Sequence, residues 1–358
     1  MAIKFQIDSR NLKFLFKAGT SRGVLSNKKA WYIRVSDPLN PTIYGIGETG
    51  PLKGLSIDDV PDFEVRLLAE LDKLNGLELP ISSKDVYEIA NQVSPEMPSV
   101  RFGVETALLD LVHGGKYQLF ENMFYQEMKP IRINGLVWMG DNELMIERLY
   151  EKIDQGFSCI KIKIGAIDFE NEMKLIELAR KKFPSSKLEL RVDANGAFNY
   201  KKAIEVLKRL KELEVHSIEQ PIKAGQIQLM RQLCESTPVP IALDEELIGI
   251  YSYQQKKDLI HTIKPQYIIL KPSLIGGFQS AKEWIDLAEN NKIGWWITSA
   301  LESNIGLNAI CQFASSLNVN IPQGLGTGGL YQNNIESPLE VIKDEIVYNR
   351  NKKWETVM

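Results

Sequence analysis

Residues 159–165 read Cys-Ile-Lys-Ile-Lys-Ile-Gly, and this stretch decides the fold. Its strict alternation marks a strand with Ile160, Ile162 and Ile164 on one face and Lys161 and Lys163 on the other. The isoleucines belong against covering helices, which turns both lysines inward. The run Leu188–Asp193 repeats the arrangement, with Leu190 and Val192 outward and Arg191 and Asp193 inward. Buried charges are tolerated only when they pair or bind a metal, so the interior of this sheet is where chemistry is to be sought.

Outward from that strand, short apolar runs alternate with helical periodicity. The predicted strands are Ile133–Met139, Cys159–Ile164, Leu188–Asp193, Ser217–Glu219, Ile241–Asp244, Tyr267–Lys271, Gly294–Ser299 and Val319–Pro322. Helical stretches between them include Phe169–Lys182, Lys201–Leu213, Gln226–Cys234, Tyr251–His261, Gly277–Asn290 and Ile305–Ser316. A spacing of about 25 residues per unit fits an α/β fold of the (β/α)8 TIM-barrel type. An open doubly wound sheet has the same local alternation and is the competing architecture.

At 358 residues the chain exceeds a barrel. The surplus lies first in Ile3–Ile7, Leu12–Phe16, Ala30–Val35 and Thr42–Ile46, all β-rich and separated by turn signals. Helical segments Asp58–Leu74, Lys84–Val93 and Val100–Val112 follow, the last closed by Gly114-Gly115. Strands followed by helices indicate a small α+β domain. The expected division is an α+β capping domain over 1–128, the barrel over 129–336, and a segment over 337–358 that packs back on the first domain.

Composition excludes several classes of function. With 43 Lys plus Arg against 46 Asp plus Glu, the chain has no electrostatic hold on nucleic acid or an anionic membrane. The three cysteines, Cys159, Cys234 and Cys311, supply neither a disulfide framework nor a thiolate metal site. His113, His216 and His261 are far apart, so acid–base chemistry must rest on carboxylates and lysines. No uncharged apolar run of eighteen residues and no signal-peptide pattern occur, and the expected location is cytoplasmic.

Six successive strands end in a polar or ionisable residue: Lys163, Asp193, Glu219, Asp244, Lys271 and Ser299. In a barrel these ends converge on one mouth. Asp193, Glu219 and Asp244 offer an all-oxygen site for a hard cation, Mg²⁺ first, with Mn²⁺ as a substitute. Lysines beside that cation suit removal of a proton next to a carboxylate through an enediolate. A structural layer of salt bridges is the bland alternative, and six strand ends in a row argue against it.

These segments resemble the enolase superfamily and, within it, the muconate-lactonising-like group. The matching motifs are C-I-K-I-K-I-G (159–165), R-V-D-A-N-G-A-F (191–198), S-I-E-Q-P (217–221), A-L-D-E-E (242–246) and I-L-K-P-S-L-I-G-G (269–277). Upstream, G-x-G-E-x-x-P-L (45–52) and R-F-G-V-E-T-A-L-L-D-L (101–111) resemble the group's capping domain. The resemblance implies a barrel that can take the modified (β/α)7β form. It implies Asp193, Glu219 and Asp244 as Mg²⁺ ligands, Lys163 as the base, Lys161 as an electrostatic partner, and Lys271 on the opposite face of the substrate.

Three further segments, G-T-S-R-G-V-L (19–25), I-N-G-L-V-W-M-G (133–140) and L-D-E-E-L-I-G (243–249), look most like the group's dehydratases of menaquinone biosynthesis. The reaction so implied converts 2-succinyl-6-hydroxy-2,4-cyclohexadiene-1-carboxylate to 2-succinylbenzoate, a small-molecule carboxylate chemistry. In it Lys163 also protonates the departing hydroxyl, and Lys271 stabilises the intermediate by a cation–π contact. Racemases of N-acylamino acids and dipeptide epimerases share the core and use both lysines as acid–base groups. A non-catalytic binding barrel is the remote alternative, and the retained lysines and carboxylates argue against it.

Other signals have two readings. Gly45, Gly47 and Gly50 match G-x-G-x-x-G, but Pro51 follows and no helix opens there. A capping-domain loop is therefore expected, with no nucleotide cofactor. The glycine run 324–329, with Thr327, either touches the substrate or forms a plain turn. Asn195 either supports the metal or caps the next helix, and Glu245 lies beside a predicted ligand. Asn134, Arg191 and Ser299 are further candidates for contacts behind the metal or with substrate. Trp295-Trp296 reads as core packing. Arg22 and Lys28-Lys29 fall in a lid-like loop, where exposed charge is the alternative. The sequence leaves the oligomeric state open.

Overall fold

The structure is a computed structural model that describes residues 2–20, 23–165 and 168–357, so Arg22 lies outside the described residues. Strands β1 (Lys4–Thr20), β2 (Gly23–Asp37) and β3 (Asn40–Thr49) form an antiparallel sheet in that order. The two separate strands expected in 3–16 are one. Phe5 is buried from the odd face of β1, whereas Leu12 and Phe14 are buried from the even face. The strand changes the face it buries midway, and that change of phase reads in sequence as a turn.

Helices α1 (Phe63–Leu74), α2 (Ser83–Ala90) and α3 (Pro98–Val112) follow. Helix α3 is buried almost all round, as a helix enclosed between two layers must be. Gly45 and Gly47 lie on β3 and not in a loop. A Cβ on Gly47 would stand 2.1 Å from the Gly103 carbonyl oxygen, and one on Gly45 1.9 Å from that of Ala107. These glycines let strand and helix meet backbone to backbone.

After β4 (Ile131–Arg132) come β5 (Gly135–Val137), α4 (Asn142–Asp154), β6 (Cys159–Lys163), α5 (Phe169–Lys182) and β7 (Glu189–Asp193). The alternation continues with α6 (Tyr200–Glu212), β8 (Ser217–Glu219), α7 (Ile227–Ser236), β9 (Ile241–Leu243) and α8 (Tyr253–Ile263). It ends with β10 (Tyr267–Leu270), α9 (Pro272–Ile275), α10 (Gly277–Asn290), β11 (Gly294–Ile297) and α11 (Asn304–Ser316). Strands β5 to β11 form one parallel sheet in sequential order.

Gln323 and Gly324 close the circle. Gln323 bridges Ile133 and Gly324 bridges Thr298, both in parallel sense. The expected eighth strand, Val319–Pro322, is thus displaced to two residues, and the architecture is the modified barrel. The α4 helix, absent from the predicted set, starts at Asp141, whose carboxylate accepts from the Leu144 amide at 2.9 Å. It buries Met145 and Leu149.

The last strands, β12 (Leu339–Ile342) and β13 (Glu345–Tyr348), form a hairpin that pairs through β13 with β4. Beyond it, Glu355 pairs with Arg10 at 2.5 Å and Trp354 stacks on Tyr117 at 4.3 Å. No described helix is long and apolar enough to cross a membrane.

Glu105 joins α3 to the barrel. It is fully buried, and one carboxylate oxygen accepts the Phe278 amide of α10. A Cβ on Gly277 would lie 2.3 Å from that carboxylate, and Gly277 has φ +93°, so this position requires glycine twice over. Burial pushes the Glu105 pKa up to about 8. The folded state therefore keeps a proton that the unfolded state loses in the ordinary carboxylate range. The associated stability is complete below that range and is lost as pH rises through about 8. Thermal unfolding midpoints should fall from pH 5 to pH 9, and Glu105→Gln should flatten part of that slope. Equal slopes in the two proteins would remove Glu105 as the cause.

Candidate active site

Parallel register sets three of the site residues side by side: Lys163 pairs with Asp193 across β6 and β7, and Asp193 with Glu219 across β7 and β8. Asp244 and Lys271 follow one residue beyond β9 and β10, where Pro272 opens α9. The outward isoleucines 160, 162 and 164 are wholly buried, which leaves Lys161 and Lys163 facing the interior.

Each lysine finds a carboxylate. Lys163 Nζ donates to Asp193 Oδ2 at 2.8 Å and to Asn195 Oδ1 at 2.7 Å. Lys161 Nζ donates to Glu219 Oε2 at 2.9 Å and lies 3.5 Å from Asp193 Oδ2. Lys271 Nζ donates to Asp244 Oδ2. For Asp193, Lys161 and Lys271 burial opposes the charge and the neighbouring opposite charges outweigh it. For Asp193, Lys163 and Lys161 outweigh burial and hold the carboxyl below its usual range. For Lys161, Glu219 and Asp193 outweigh burial and raise the ammonium. Lys271 is raised likewise, by Asp244, Glu219 and Glu245.

Whether these oxygens suit a cation can be tested on the donors themselves. Glu219 Oε1 is buried and has no hydrogen-bond partner among the described residues. An anionic oxygen so placed lacks a positive partner. All three donors are carboxylates, the set that hard divalent cations take. The residues fit the group. Among the described residues, no three carboxylate, histidine or cysteine side chains stand in a metal-ligand cluster, and each of the three acids pairs with a lysine.

The remaining candidates separate. Asn195, at φ +44°, accepts from Lys163 on its side-chain oxygen, donates from its side-chain nitrogen to Glu245 Oε1 at 3.0 Å, and donates its backbone amide to Asp193 Oδ1. It does not cap α6, since Asn199 holds that position. Glu245 is thereby tied to Lys163 through one amide side chain. Ser299 and Thr327 share a 2.7 Å hydrogen bond, and both line the cavity with Asn134. Arg191 is not brought there. Its guanidinium lies 4.3 Å from the centroid of the Trp296 ring, 2.7 Å from Glu189, and donates to the Pro322 carbonyl at 3.0 Å. It therefore plugs the opposite end of the barrel. Lys28 is buried beside Glu48 and not an exposed lid charge.

One cavity of about 1090 Å³ unites the three lysines with Asp193, Asn195 and residues of the N-terminal sheet and its following turn. Phe16, Leu52, Trp138 and Arg148 belong to its wall and were not singled out in the sequence. The Asp141 cap followed by apolar Met145 and Leu149 is the signal that would have exposed α4 and its Arg148.

Comparison with known proteins gives a consistent picture. Residues 145–347 match the family described as Enolase C-terminal domain-like. The o-succinylbenzoate synthase of Desulfotalea psychrophila is 43% identical, over 94% of this chain and 97% of its own length. The L-Ala-D/L-Glu epimerase of Bacillus subtilis is 25% identical, over 76% of this chain and 74% of its own. Among solved structures, MenC from Desulfotalea psychrophila superposes with a TM-score of 0.84 at 38% identity, covering 97% of this chain and all of that one.

Proposed function

This chain belongs to the enolase superfamily, and from that premise we propose that it dehydrates 2-succinyl-6-hydroxy-2,4-cyclohexadiene-1-carboxylate to 2-succinylbenzoate, a step of menaquinone biosynthesis. The observation that carries the reading is the end-to-end similarity to an o-succinylbenzoate synthase, together with lysines facing a common cavity from β6 and β10. In the same reading, residues 1–128 cap the barrel of 129–336, and 337–358 pack back against the cap. The reaction takes place in solution, in the cytoplasm.

Asp193, Glu219 and Asp244 would hold Mg²⁺. When bound, the cation draws charge from the substrate carboxylate and makes the neighbouring C–H acidic. Lys163 Nζ, aimed by Asn195, takes the proton from the carbon next to that carboxylate, and the C–H electrons pass into an enediolate. The C–O bond to the ring hydroxyl then breaks as Lys163 returns the proton to the leaving oxygen. One water departs and the ring becomes aromatic. Lys271 faces the intermediate from the other side, and its positive charge stabilises the delocalised anion. Lys161 keeps its own proton, because Glu219 and Asp193 raise its pKa, and supplies a fixed charge beside the carboxylates.

A second reading is supported by the epimerase similarity: Lys163 or Lys271, as the amine, would take the α-proton from one face of an N-acylamino acid or dipeptide, and the other lysine, as the ammonium, would deliver its own proton to the opposite face. The products separate the two. Proton spectra of the reaction mixture should show 2-succinylbenzoate in equimolar amount to substrate consumed. Unchanged cyclohexadiene, beside epimerised dipeptide, would reverse the order of the two readings.

A further inference from the structure

One wall of the cavity carries a cation that neither the metal site nor the proton chemistry uses. Arg148, half-buried on α4, donates from Nη1 to the carbonyl oxygens of Trp138 at 3.1 Å and Met139 at 3.2 Å. Its guanidinium stands 5.1 Å from the centroid of the Phe16 ring on β1. Gly140 keeps this corner open: a Cβ there would come within 3.0 Å of Leu144 and 3.5 Å of Arg148 Nη1. The guanidinium is thus fixed by the exit of β5 on one side and by the N-terminal sheet on the other.

Among the described residues, Arg148 makes no ion pair with a carboxylate, although Glu147 and Glu151 also border the cavity. Glu151 is engaged by Lys152 at 3.5 Å and by Gln155 at 2.8 Å, and Glu147 is exposed. The other cations of the wall are less suited to reading an anion. Lys152 is committed to Gln155 and Glu151, and Lys53 on the turn after β3 and Lys343 between β12 and β13 are exposed. Arginine stays protonated under partial burial, and its planar fork of N–H groups matches a carboxylate.

The dehydratase substrate has two carboxylates. The one beside the departing proton is accounted for by the cation and the lysines. The other ends the succinyl chain and has no partner yet. We propose that Arg148 binds this terminal succinyl carboxylate and so selects a dicarboxylate over a monocarboxylate ligand. The assignment rests on the dehydratase reading. It makes Arg148 a binding residue with no part in the proton transfers, and predicts an effect on KM with little on kcat.

The test measures binding of 2-succinylbenzoate and of 2-butyrylbenzoate, which carries a methyl group in place of the terminal carboxylate, to the Mg²⁺-supplied protein by calorimetry. Arg148→Met keeps the stem over Phe16 and removes the charge. It should weaken 2-succinylbenzoate about 10–100-fold, the range of a lost charge-assisted contact, and leave 2-butyrylbenzoate within about twofold. The KM for the cyclohexadiene substrate should rise in parallel, and Arg148→Lys should recover part of the loss. Equal affinity of wild type for the two ligands would overturn the assignment, as would Arg148→Met weakening both alike. Normal wild-type turnover with an unaffected Arg148→Met removes Arg148 alone. A wild type that neither turns over the substrate nor binds its product removes the dehydratase reading and this assignment with it.

Discussion

Lys163→Ala should lower turnover by at least about 10³-fold, since in the proposed reaction one amine serves as base and, once protonated, as acid, and each role is worth roughly 10²–10⁴. The loss should fall on kcat and not on substrate affinity. Asp193 keeps Lys161 at 3.5 Å after the substitution, so its negative charge retains a partner and the barrel should fold. Far-ultraviolet circular dichroism and the unfolding midpoint check that point. Near-normal turnover in a folded Lys163→Ala protein would reassign the base. Exchange of the α-proton with deuterated solvent is a finer readout, because it should vanish together with product formation.

Glu219→Gln carries the second large effect. Glu219 is buried to within 2% and supplies Oε2 to Lys161, while Oε1 has no partner among the described residues. The amide oxygen of glutamine can still accept from Lys161, so packing is preserved while the charge that would hold a cation is removed. Changes in groups that merely support metal ligands already cost about 10–100-fold in affinity, and loss of a ligand's charge should cost more. Titration with Mn²⁺, followed by its magnetic resonance signal, reads this without any turnover. Equal Mn²⁺ affinity in Glu219→Gln and wild type would take Glu219 out of the metal site. Chelation of wild type with EDTA should silence the reaction, and Mg²⁺ should restore it.

The barrel was legible because period-two alternation and a repeat of strand and helix survive in a single sequence. Lys161, Lys163 and Asp193 were placed on the inner face by that alternation alone. Alternation states which side a residue takes, but not its height along the barrel axis. Arg191 shares the inner face with Asp193, yet lies two residues nearer the opposite end, over Trp296. Nor does alternation hold where a strand has ended. Glu245 opens a 3-10 turn at the exit of β9, and its reach to Asn195 follows from that turn. The eighth strand was misplaced because two bridging residues, Gln323 and Gly324, have no periodicity to read. Arg148 was invisible for a different reason. Its role depends on Phe16 and on two carbonyls at the end of β5, contacts between segments that the sequence does not juxtapose.

In the proposed mechanism, three lysines set among carboxylates carry the acid–base chemistry of a chain with three histidines. It also locates where the choice among related reactions is made. The lysine pair is common to dehydration and epimerisation, so discrimination has to come from the cavity wall, where β1, the turn after β3 and α4 meet over the barrel mouth.

The most direct measurement is the decay of the cyclohexadiene ultraviolet absorbance on mixing substrate with the Mg²⁺-supplied wild-type protein. Racemisation of N-succinylamino acids and epimerisation of dipeptides are followed on the same preparation by polarimetry. The account predicts rapid, metal-dependent loss of absorbance to completion, with a kcat/KM far above either isomerisation. Stable absorbance alongside efficient racemisation or epimerisation would contradict it.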